Sequence, residues 1–390
     1  MVPLSYAQTR MWFINRFEGL AATYNIPILI RMRGRVDTDG LRAAFQDVLA
    51  RHEILRTVYE EVDGQPVQRV VPPEQVVLPW TDWGWVPPAQ VADVVSSSVR
   101  QGFDLAVDLP VRAFLLRPEP DVTLLVVVIH HIAGDGGSLG PFTRDLSAAY
   151  RAVVTGTAPS WPELPVQYVD YAQWQREVLG DESDPDSVFS AQFRYWQREL
   201  AGVTRPISLP FDRPRPARAS YRGDNVRFEI SEDLLKRTER LAQSRNVTVP
   251  MVLQAALVVL LHRLGGDDDI TVGSPIAGRA DEALEDLVGF FVNTWVLRVR
   301  LTPDESFAQV LDQVRRKALA AYDHQDLPFE RLVELLRPER SIAYHPLFQI
   351  CFAWQNSVRQ GLDLPGVTAS MEPVATGTAK FDLFFNLMPD

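Results

Sequence analysis

The chain has 390 residues, of which 46% are hydrophobic and 23% charged, with 39 basic and 50 acidic side chains and a formal net charge of −11. This composition is typical of a globular protein and excludes a disordered or fibrous chain. The acidic balance argues against a nucleic-acid partner, because phosphate binding requires clustered lysine and arginine side chains.

The lengths of the apolar runs and the cysteine content indicate the compartment in which the protein is expected. The longest apolar runs, at residues 124–129 and 255–261, are short, whereas a membrane span needs about 20 residues. The N-terminus lacks a secretory-signal pattern, and the single cysteine, Cys351, forms no internal disulfide. Six histidines and one cysteine give no zinc-ligand spacing. The sequence therefore predicts a soluble cytoplasmic protein with no metal and no membrane partner.

The first half of the chain alternates predicted strands and helices. Residues 26–32 resemble a strand, and Asp37 begins a capping sequence before a helix at 41–51 with apolar side chains at helical spacing. Strands at 55–60 and 66–71, joined by Asp63-Gly64, predict a hairpin.

One predicted strand has an unusually continuous apolar sequence. Residues 122–129 are apolar at every position except Thr123, which is expected of a strand that is covered on both faces. A helix at 91–101 and a strand at 111–117 are predicted before it, and a helix is predicted directly after it, at 138–154.

The second half follows a turn-rich junction at 156–224, which is interrupted by short helices. Beyond the junction we expect strands at 226–230, 270–274, 294–301, 347–353 and 381–387. The helices expected there cover 231–245, 250–264, 305–323 and 329–336. This order predicts a second α/β layer.

The strongest chemical signal is the segment 130–137, His-His-Ile-Ala-Gly-Asp-Gly-Gly. It lies where the buried strand ends and the next helix begins, and its glycines permit close backbone approach. An imidazole with an unperturbed pKa of about 6.5 accepts a proton near neutral pH. Because side chains alternate along a strand, only one of His130 and His131 faces a given cleft.

An alternative interpretation makes both histidines core residues and the glycines a simple turn. Two histidines and an aspartate at fixed spacing with three glycines favour a functional site instead.

This segment is the HHxxxDG motif, and with it the chain resembles the condensation domains of nonribosomal peptide synthetases. Further stretches resemble the other motifs of that family in order, at residues 5–12, 51–57, 168–174, 288–294, 324–330 and 337–347. Together they extend over residues 5–347.

The resemblance implies an α/β fold with two lobes, each like chloramphenicol acetyltransferase, arranged as a V-shaped pseudo-dimer. We expect an N-terminal lobe at 1–175 with the HHxxxDG motif and a C-terminal lobe at 176–390 that is truncated at its end.

The resemblance also implies the reaction. A condensation domain forms a peptide bond between a donor peptidyl or aminoacyl thioester and the amine of an acceptor aminoacyl thioester. Both are carried on phosphopantetheine arms of upstream and downstream peptidyl carrier proteins, and the domain itself binds no cofactor. An adenylation domain is the expected neighbour, and the products are antibiotics or siderophores.

Site residues are carried over by position. The resemblance makes His131 the base or positioning group, and we assign the backbone N–H of Gly136 to oxyanion binding. His130, Asp135 and Arg279 are expected to support the site, with Arg279 reaching Asp135 from the second lobe.

Asp135 could instead complete a His-Asp relay, although the supporting role is favoured. Gly137, where the family often has tryptophan, and Asn293 are candidates to line the substrate tunnel. His52, Arg56 and His324 are interpreted as scaffold.

Three further possibilities remain open from sequence. Segments 130–136, 179–187 and 273–279 resemble the branch that joins a D-configured donor to an L-configured acceptor. An epimerisation domain shares the fold and the histidine motif, although its second-lobe Glu-Gly-His-Gly-Arg-Glu type segment is missing here. A non-catalytic module that recruits another enzyme is the third.

Overall fold

The computed structural model describes residues 2–18, 22–203, 206–265, 267–337, 341–355 and 361–389. Its strands are β1 (Val2–Pro3), β2 (Asn25–Gly34), β3 (Thr57–Val62), β4 (Gln65–Val70), β5 (Trp80–Trp85), β6 (Val111–Glu119), β7 (Val122–His130), β8 (Asp269–Ile276), β9 (Asn293–Arg300), β10 (Ile350–Trp354), β11 (Val367–Glu372) and β12 (Leu383–Leu387). Its helices are α1 (Tyr6–Glu18), α2 (Thr38–Arg51), α3 (Val91–Val99), α4 (Leu139–Thr155), α5 (Tyr168–Leu179), α6 (Val188–Glu199), α7 (Glu232–Arg245), α8 (Val249–Gly265), α9 (Phe307–Tyr322) and α10 (Phe329–Leu336).

Contacts between Cα atoms divide the chain into two compact units. Unit 1 consists of Met1–Val178, Arg279–Val292 and Ser357–Thr378, and unit 2 of Leu179–Gly278, Asn293–Asn356 and Ala379–Asp390. The first boundary lies close to the expected one at 175/176. Two segments of the expected C-terminal lobe, however, belong to unit 1, because β11 pairs with β2 and Arg279 pairs with Asp135.

Unit 1 is built around a five-stranded sheet in the order β11-β2-β7-β6-β5. The central strand β7 is antiparallel to β2 and β6, and all nine of its residues are buried. The continuous apolar sequence therefore correctly predicted a strand covered on both faces. The predicted helical face of α2 is likewise fully buried and consists of Leu41, Ala44, Phe45 and Val48.

Local capping and turn signals in unit 1 are also confirmed. Asp37 precedes α2, and its Oδ1 accepts a hydrogen bond from the amide of Gly40 at 2.9 Å. Asp63 and Gly64 have φ values of 51° and 76°, the left-handed pair that a tight two-residue hairpin requires. This turn joins β3 to β4, with Val62 opposite Gln65.

Unit 2 contains a four-stranded sheet in the order β12-β10-β8-β9, against which α8 and α9 pack. The strand predicted at 226–230 is wrong. These residues have no strand assignment, and Val226 and Phe228 are 89% and 55% exposed. Alternating Val-Arg-Phe-Glu-Ile side chains favour an extended chain, but a strand also needs a hydrogen-bonded neighbour.

Four of the described elements were not predicted: β1, α1, β5 and β11. In β11 the strand state depends on pairing with β2, from Val367 opposite Gly34 to Glu372 opposite Leu29. Such long-range pairing leaves little trace in the local sequence. Of the motif stretches, the one at 337–347 lies in part outside the described residues.

No single helix among the described ranges has the length and apolar character needed to cross a membrane. The bent pair α7 and α8, at 102° to each other, passes the same test by length and composition when taken together.

A buried ionic cluster ties the end of α2 to α4. Asp145 Oδ2 lies 2.9 Å from His52 Nε2 and 2.8 Å from Arg51 Nε, and its Oδ1 lies 3.0 Å from Arg144 Nε. His52 Nδ1 accepts the amide N–H of Val288 at 3.5 Å, so Nε2 carries the ring proton. Burial lowers the pKa of His52 below its ordinary value and outweighs the opposing effect of Asp145.

The pKa of Asp145, like that of His52, is lowered in the folded protein. Burial acts to raise the pKa of its carboxyl group, but hydrogen bonds from His52 and Arg144 outweigh this effect and lower the pKa. The folded state therefore binds fewer protons than the unfolded chain in acid, and both groups favour folding at higher pH.

We expect the melting temperature of the chain to fall as the pH is lowered below about 6.5, the ordinary histidine pKa. In this range the imidazole of the unfolded chain takes up a proton that folded His52 does not. Each unit by which the folded-state pKa lies below the unfolded-state pKa lowers the free energy of unfolding by about 1.4 kcal/mol, once the pH is below both pKa values. Thermal melts at pH 7.5, 6.5 and 5.5 measure the slope.

The variant His52→Asn should melt lower at pH 7.5 but show a shallower slope, whereas His262→Asn in unit 2 should retain the wild-type slope. Equal slopes for the wild-type chain and His52→Asn would contradict the assignment.

Candidate active site

His130 is the last residue of β7 and is 1% exposed. Its Nδ1 accepts the amide N–H of Ile132 at 3.1 Å, and its ring meets Phe103 edge-on with centroids 5.8 Å apart. The ring thus packs in the core and shapes the turn after the strand.

His131 follows β7 and is half-buried. Its amide donates to the carbonyl of Tyr24 at 2.8 Å, which keeps this backbone position in line with the sheet. Its ring lies against Phe290, with centroids 4.8 Å apart at an interplanar angle of 64°. The alternation predicted from sequence therefore places one histidine in the core and the other at a partly open position.

The carboxylate of Asp135 joins three separate stretches of unit 1. Oδ1 accepts from the amide and hydroxyl of Ser138 at 3.0 Å and from Arg279 Nη2 at 3.0 Å. Oδ2 accepts from Arg279 Nη1 at 3.1 Å and from the amides of Phe291 and Val292 at 2.9 and 3.1 Å. A carboxylate offers about four lone-pair sites, so these donors saturate it, and the geometry favours the supporting role over a His-Asp relay.

Arg279 forms the pair with Asp135 that the resemblance implied, but by its contacts it belongs to unit 1 and not to a second lobe. Its side chain is 9% exposed, and its guanidinium lies 4.3 Å from the centroid of the Phe291 ring. It also donates to the hydroxyl of Ser138 at 3.2 Å. The planar guanidinium suits this combination of bidentate pairing and aromatic stacking.

Gly136 and Gly137 form the exposed first part of a short helical turn, Gly136–Ser138, that leads into α4. Asp135 caps this turn through a reciprocal capping box with Ser138. The first amides of a helical segment have no acceptor within it, which is consistent with the role assigned to the Gly136 N–H. A Cβ at Gly137 would lie 2.4 Å from Arg279 Nη1, so this glycine admits the guanidinium to Asp135.

Asn293 lies in unit 2 and serves the backbone there. Its Nδ2 donates to the carbonyls of Gln325 and Leu327 at 2.7 and 2.8 Å, and its Oδ1 accepts from the amide of Phe329 at 3.0 Å. These bonds fix the start of α10 and engage both ends of the side-chain amide.

A cavity of 460 Å³ lies within unit 1, against β2, α3 and β11. Neither Gly137 nor Asn293, the candidates for tunnel lining, is among the described residues that line it, which include Leu29, Arg31, Val91, Val95, Glu372 and Val374.

The residues interpreted as scaffold are held by structural contacts. Arg56 donates to the carbonyl of Val71 at 2.6 Å and pairs with Glu53 at 3.2 Å. The ring of His324 stacks on Tyr195 at 3.9 Å. With His52 in the ionic cluster described above, all three have packing roles.

Sequence reasoning missed three residues that complete the site. The hydroxyl of Ser138 accepts the Gly289 amide at 3.1 Å and lies 2.9 Å from the Gly289 carbonyl. Tyr168 donates to the carbonyl of Phe290 at 2.6 Å. Tyr168 and Phe290 both lie in motif stretches recognised from sequence. Their presence in these motifs could have indicated a role at the site, although neither side chain has an obvious chemical function.

A family model described as "Condensation domain" matches residues 1–390. The chain belongs to the condensation domain family. Condensation domains of nonribosomal peptide synthetases are amide-bond-forming acyltransferases, and the predicted enzyme class is confirmed.

Two curated relatives are similar over nearly the whole chain. CymA of Salinispora arenicola (strain CNS-205), named as a probable non-canonical nonribosomal peptide synthetase, is 49% identical over 99% of the chain. The isonitrile lipopeptide synthase of Mycobacterium tuberculosis (strain ATCC 25618 / H37Rv) is 46% identical over 99% of the chain. The chain spans 5% and 15% of the lengths of these two relatives.

Among solved structures, the X-domain from teicoplanin biosynthesis is similar with a TM-score of 0.91 and 32% identity, covering 99% of the chain and 85% of that domain. The X-domain is also known in a complex with OxyB. The α/β fold with two lobes expected from sequence is confirmed for this condensation domain.

Removal of Arg279 should destabilise the domain strongly. The change Arg279→Ala strands the buried Asp135 carboxylate, and breaking such a pair costs about 3–5 kcal/mol. The matched control is Arg69→Ala, which breaks an exposed pair with Glu60 that is worth at most about 1 kcal/mol. Thermal melts compare the two variants, and equal melting temperatures would contradict the structural role of Arg279.

A side chain at residue 137 should disturb the same pair. We expect Gly137→Ala to lower the melting temperature, because its Cβ would displace Arg279 from Asp135. In the Arg279→Ala background the same change should cost little, which a double-mutant cycle measures. Gly361→Ala, where a Cβ would meet nothing within 4 Å, is the control; additive losses in the cycle would show that Gly137 acts independently of Arg279.

Proposed function

We propose that this condensation domain joins a donor peptidyl or aminoacyl thioester to the amine of an acceptor aminoacyl thioester. The acceptor nitrogen attacks the thioester carbonyl, the C–N bond forms, and the C–S bond breaks. The proton lost by the nitrogen ends on the departing sulfur. The observation that supports this function is a half-buried His131 directly after β7, followed four residues later by Asp135, whose carboxylate is fully engaged.

His131 is the group that acts on the amine. An α-ammonium group has a pKa of about 8, so the free amine is accessible near neutral pH. A neutral imidazole within hydrogen-bond reach accepts the proton of the attacking nitrogen or orients it, and general-base assistance is worth about 10²–10⁴-fold. The same imidazole can then return the proton to the thiolate.

We assign to the backbone amide of Gly136 the stabilisation of the negative charge that develops on the carbonyl oxygen. Donors fixed towards a developing oxyanion contribute strongly to catalysis, and this amide lies in the first turn leading into α4. Asp135 and Arg279 hold that turn, and His130 holds the preceding one, without contacting substrate.

The partners follow from the reaction. Both substrates arrive on phosphopantetheine arms of carrier proteins, one upstream and one downstream, and an adenylation domain is the expected neighbour. The domain itself supplies only side chains and backbone amides. We place the reaction in the cytoplasm, and we assign the donor to the D-configured class on the resemblance of segments 130–136, 179–187 and 273–279.

A recruitment module is the second candidate. The observation that favours it is the 32% identity with the teicoplanin X-domain, a protein known in complex with OxyB. Members that only recruit generally lose the catalytic histidine or its spacing, whereas this chain retains both in His130-His131 and Asp135. Epimerisation is the remaining alternative and would act on a single carrier-bound residue.

The decisive change is His131→Ala. On loaded donor and acceptor carrier proteins it should lower dipeptide formation by about tenfold or more, because it removes the group that assists the amine. The dipeptidyl product on the acceptor carrier is measured by mass spectrometry, together with the melting temperature of the variant.

His262→Ala in unit 2 is the matched control and should retain activity. An unchanged rate in His131→Ala would overturn the base role and favour recruitment. Incubation of a single aminoacyl carrier in deuterated water tests the other alternative, since deuterium gained at Cα would favour epimerisation.

A further inference from the structure

Tyr168 places its hydroxyl between two distant parts of unit 1. The side chain is 1% exposed, and its hydroxyl donates to the carbonyl of Phe290 at 2.6 Å. The same oxygen lies 3.0 Å from Ser5 Oγ. Because the phenol has one proton and Phe290 offers a carbonyl, Tyr168 donates to Phe290 and accepts from Ser5. Burial raises the pKa of Tyr168 well above its ordinary value, so the donor proton is retained.

The ring of Tyr168 also supports the backbone beside Phe290. A Cβ at Gly289 would lie 2.4 Å from this ring, so the glycine lets the backbone rest on it. The ring meets Phe291 edge-on with centroids 5.1 Å apart. The segment from Gly289 to Phe291 is therefore fixed by Tyr168 on one side and by the motif loop on the other.

Phe290 connects this fixed segment to the imidazole, since the centroids of the Phe290 and His131 rings are 4.8 Å apart. Phe290 is 7% exposed, so its ring has little freedom to move independently of its backbone. A shift of the Phe290 carbonyl would move the ring that packs against His131.

We infer that Tyr168 is a positioning residue for His131, acting through the Phe290 carbonyl and ring. The inference rests on the proposed function for its catalytic consequence, but the geometry it describes can be measured without turnover. Misplacement of a catalytic group by about 1 Å can cost about 10²-fold in rate.

The test variant is Tyr168→Phe, which keeps the ring and removes the hydroxyl. The matched control is Tyr150→Phe; Tyr150 is also 1% exposed, and its hydroxyl accepts one backbone amide, that of Asp37, at 2.9 Å. Both changes remove one buried hydroxyl from unit 1, but the Tyr150 hydroxyl bonds to the residue that caps α2, whereas the Tyr168 hydroxyl bonds to Phe290. Should Tyr168→Phe fail to fold, Ser5→Ala takes its place. It removes the hydroxyl that donates to Tyr168 and so weakens the hold on the Tyr168 hydroxyl.

Two readouts separate positioning from stability. In a chain labelled with ¹³C at histidine Cε1, the His131 signal is identified by its loss in His131→Gln. We expect it to shift in Tyr168→Phe and to stay in place in Tyr150→Phe. At saturating carrier proteins, kcat of Tyr168→Phe should fall by about tenfold to a hundredfold with little change in KM.

An unmoved His131 signal would overturn the inference. A kcat equal to that of Tyr150→Phe would also overturn it, provided that His131→Ala itself impairs condensation. If the signal moves as expected but His131→Ala condenses normally, Tyr168 still positions the ring and the proposed catalytic role of His131 is what fails.

Discussion

The geometry of the motif loop depends on one buried carboxylate. Segment 134–137 contains three glycines, and glycine loses more backbone entropy on ordering than any other residue. Such a loop needs strong local constraints to hold a single conformation. Asp135 supplies them by accepting hydrogen bonds from the Ser138 turn, from Arg279 and from the amides at 291–292.

This arrangement separates structural and chemical roles within a few residues. A carboxylate saturated by a bidentate guanidinium and backbone amides has no lone pair left to orient a neighbouring imidazole. The role of Asp135 thus differs from that of the acid in a Ser-His-Asp triad, which hydrogen-bonds the catalytic histidine directly. Two contacts that help to orient His131 are its backbone bond to Tyr24 and the ring of Phe290.

The sequence predicted well those features that depend on neighbouring residues. The apolar run at 122–129 became β7, Asp37 caps α2, and Asp63-Gly64 forms the hairpin turn. The membership of β11 and Arg279 in unit 1 depends on contacts distant in sequence, which leave no local pattern to predict from.

The site shows the same limit. His131 and Asp135 were found from a local motif, whereas the contributions of Tyr168 and Phe290 depend on a hydrogen bond across 122 residues. Gly137 is a candidate for tunnel lining by sequence, and the structure adds that its lack of a side chain admits Arg279. Only the folded structure shows which atom occupies the space that a glycine leaves.

The reaction that we propose would explain why so many contacts at this site fix its geometry. A thioester is already activated, and an α-amine with a pKa of about 8 is a competent nucleophile near neutral pH. General-base assistance adds about 10²–10⁴-fold, whereas correct alignment of two reactants is worth effective molarities of about 10⁵–10⁸ M. Positioning is then the larger contribution, and it requires a rigid loop. The interactions around Asp135, Arg279 and Tyr168 fix the positions of backbone atoms more than they change the pKa of any group. A reaction that depends mainly on the alignment of its reactants favours such an arrangement.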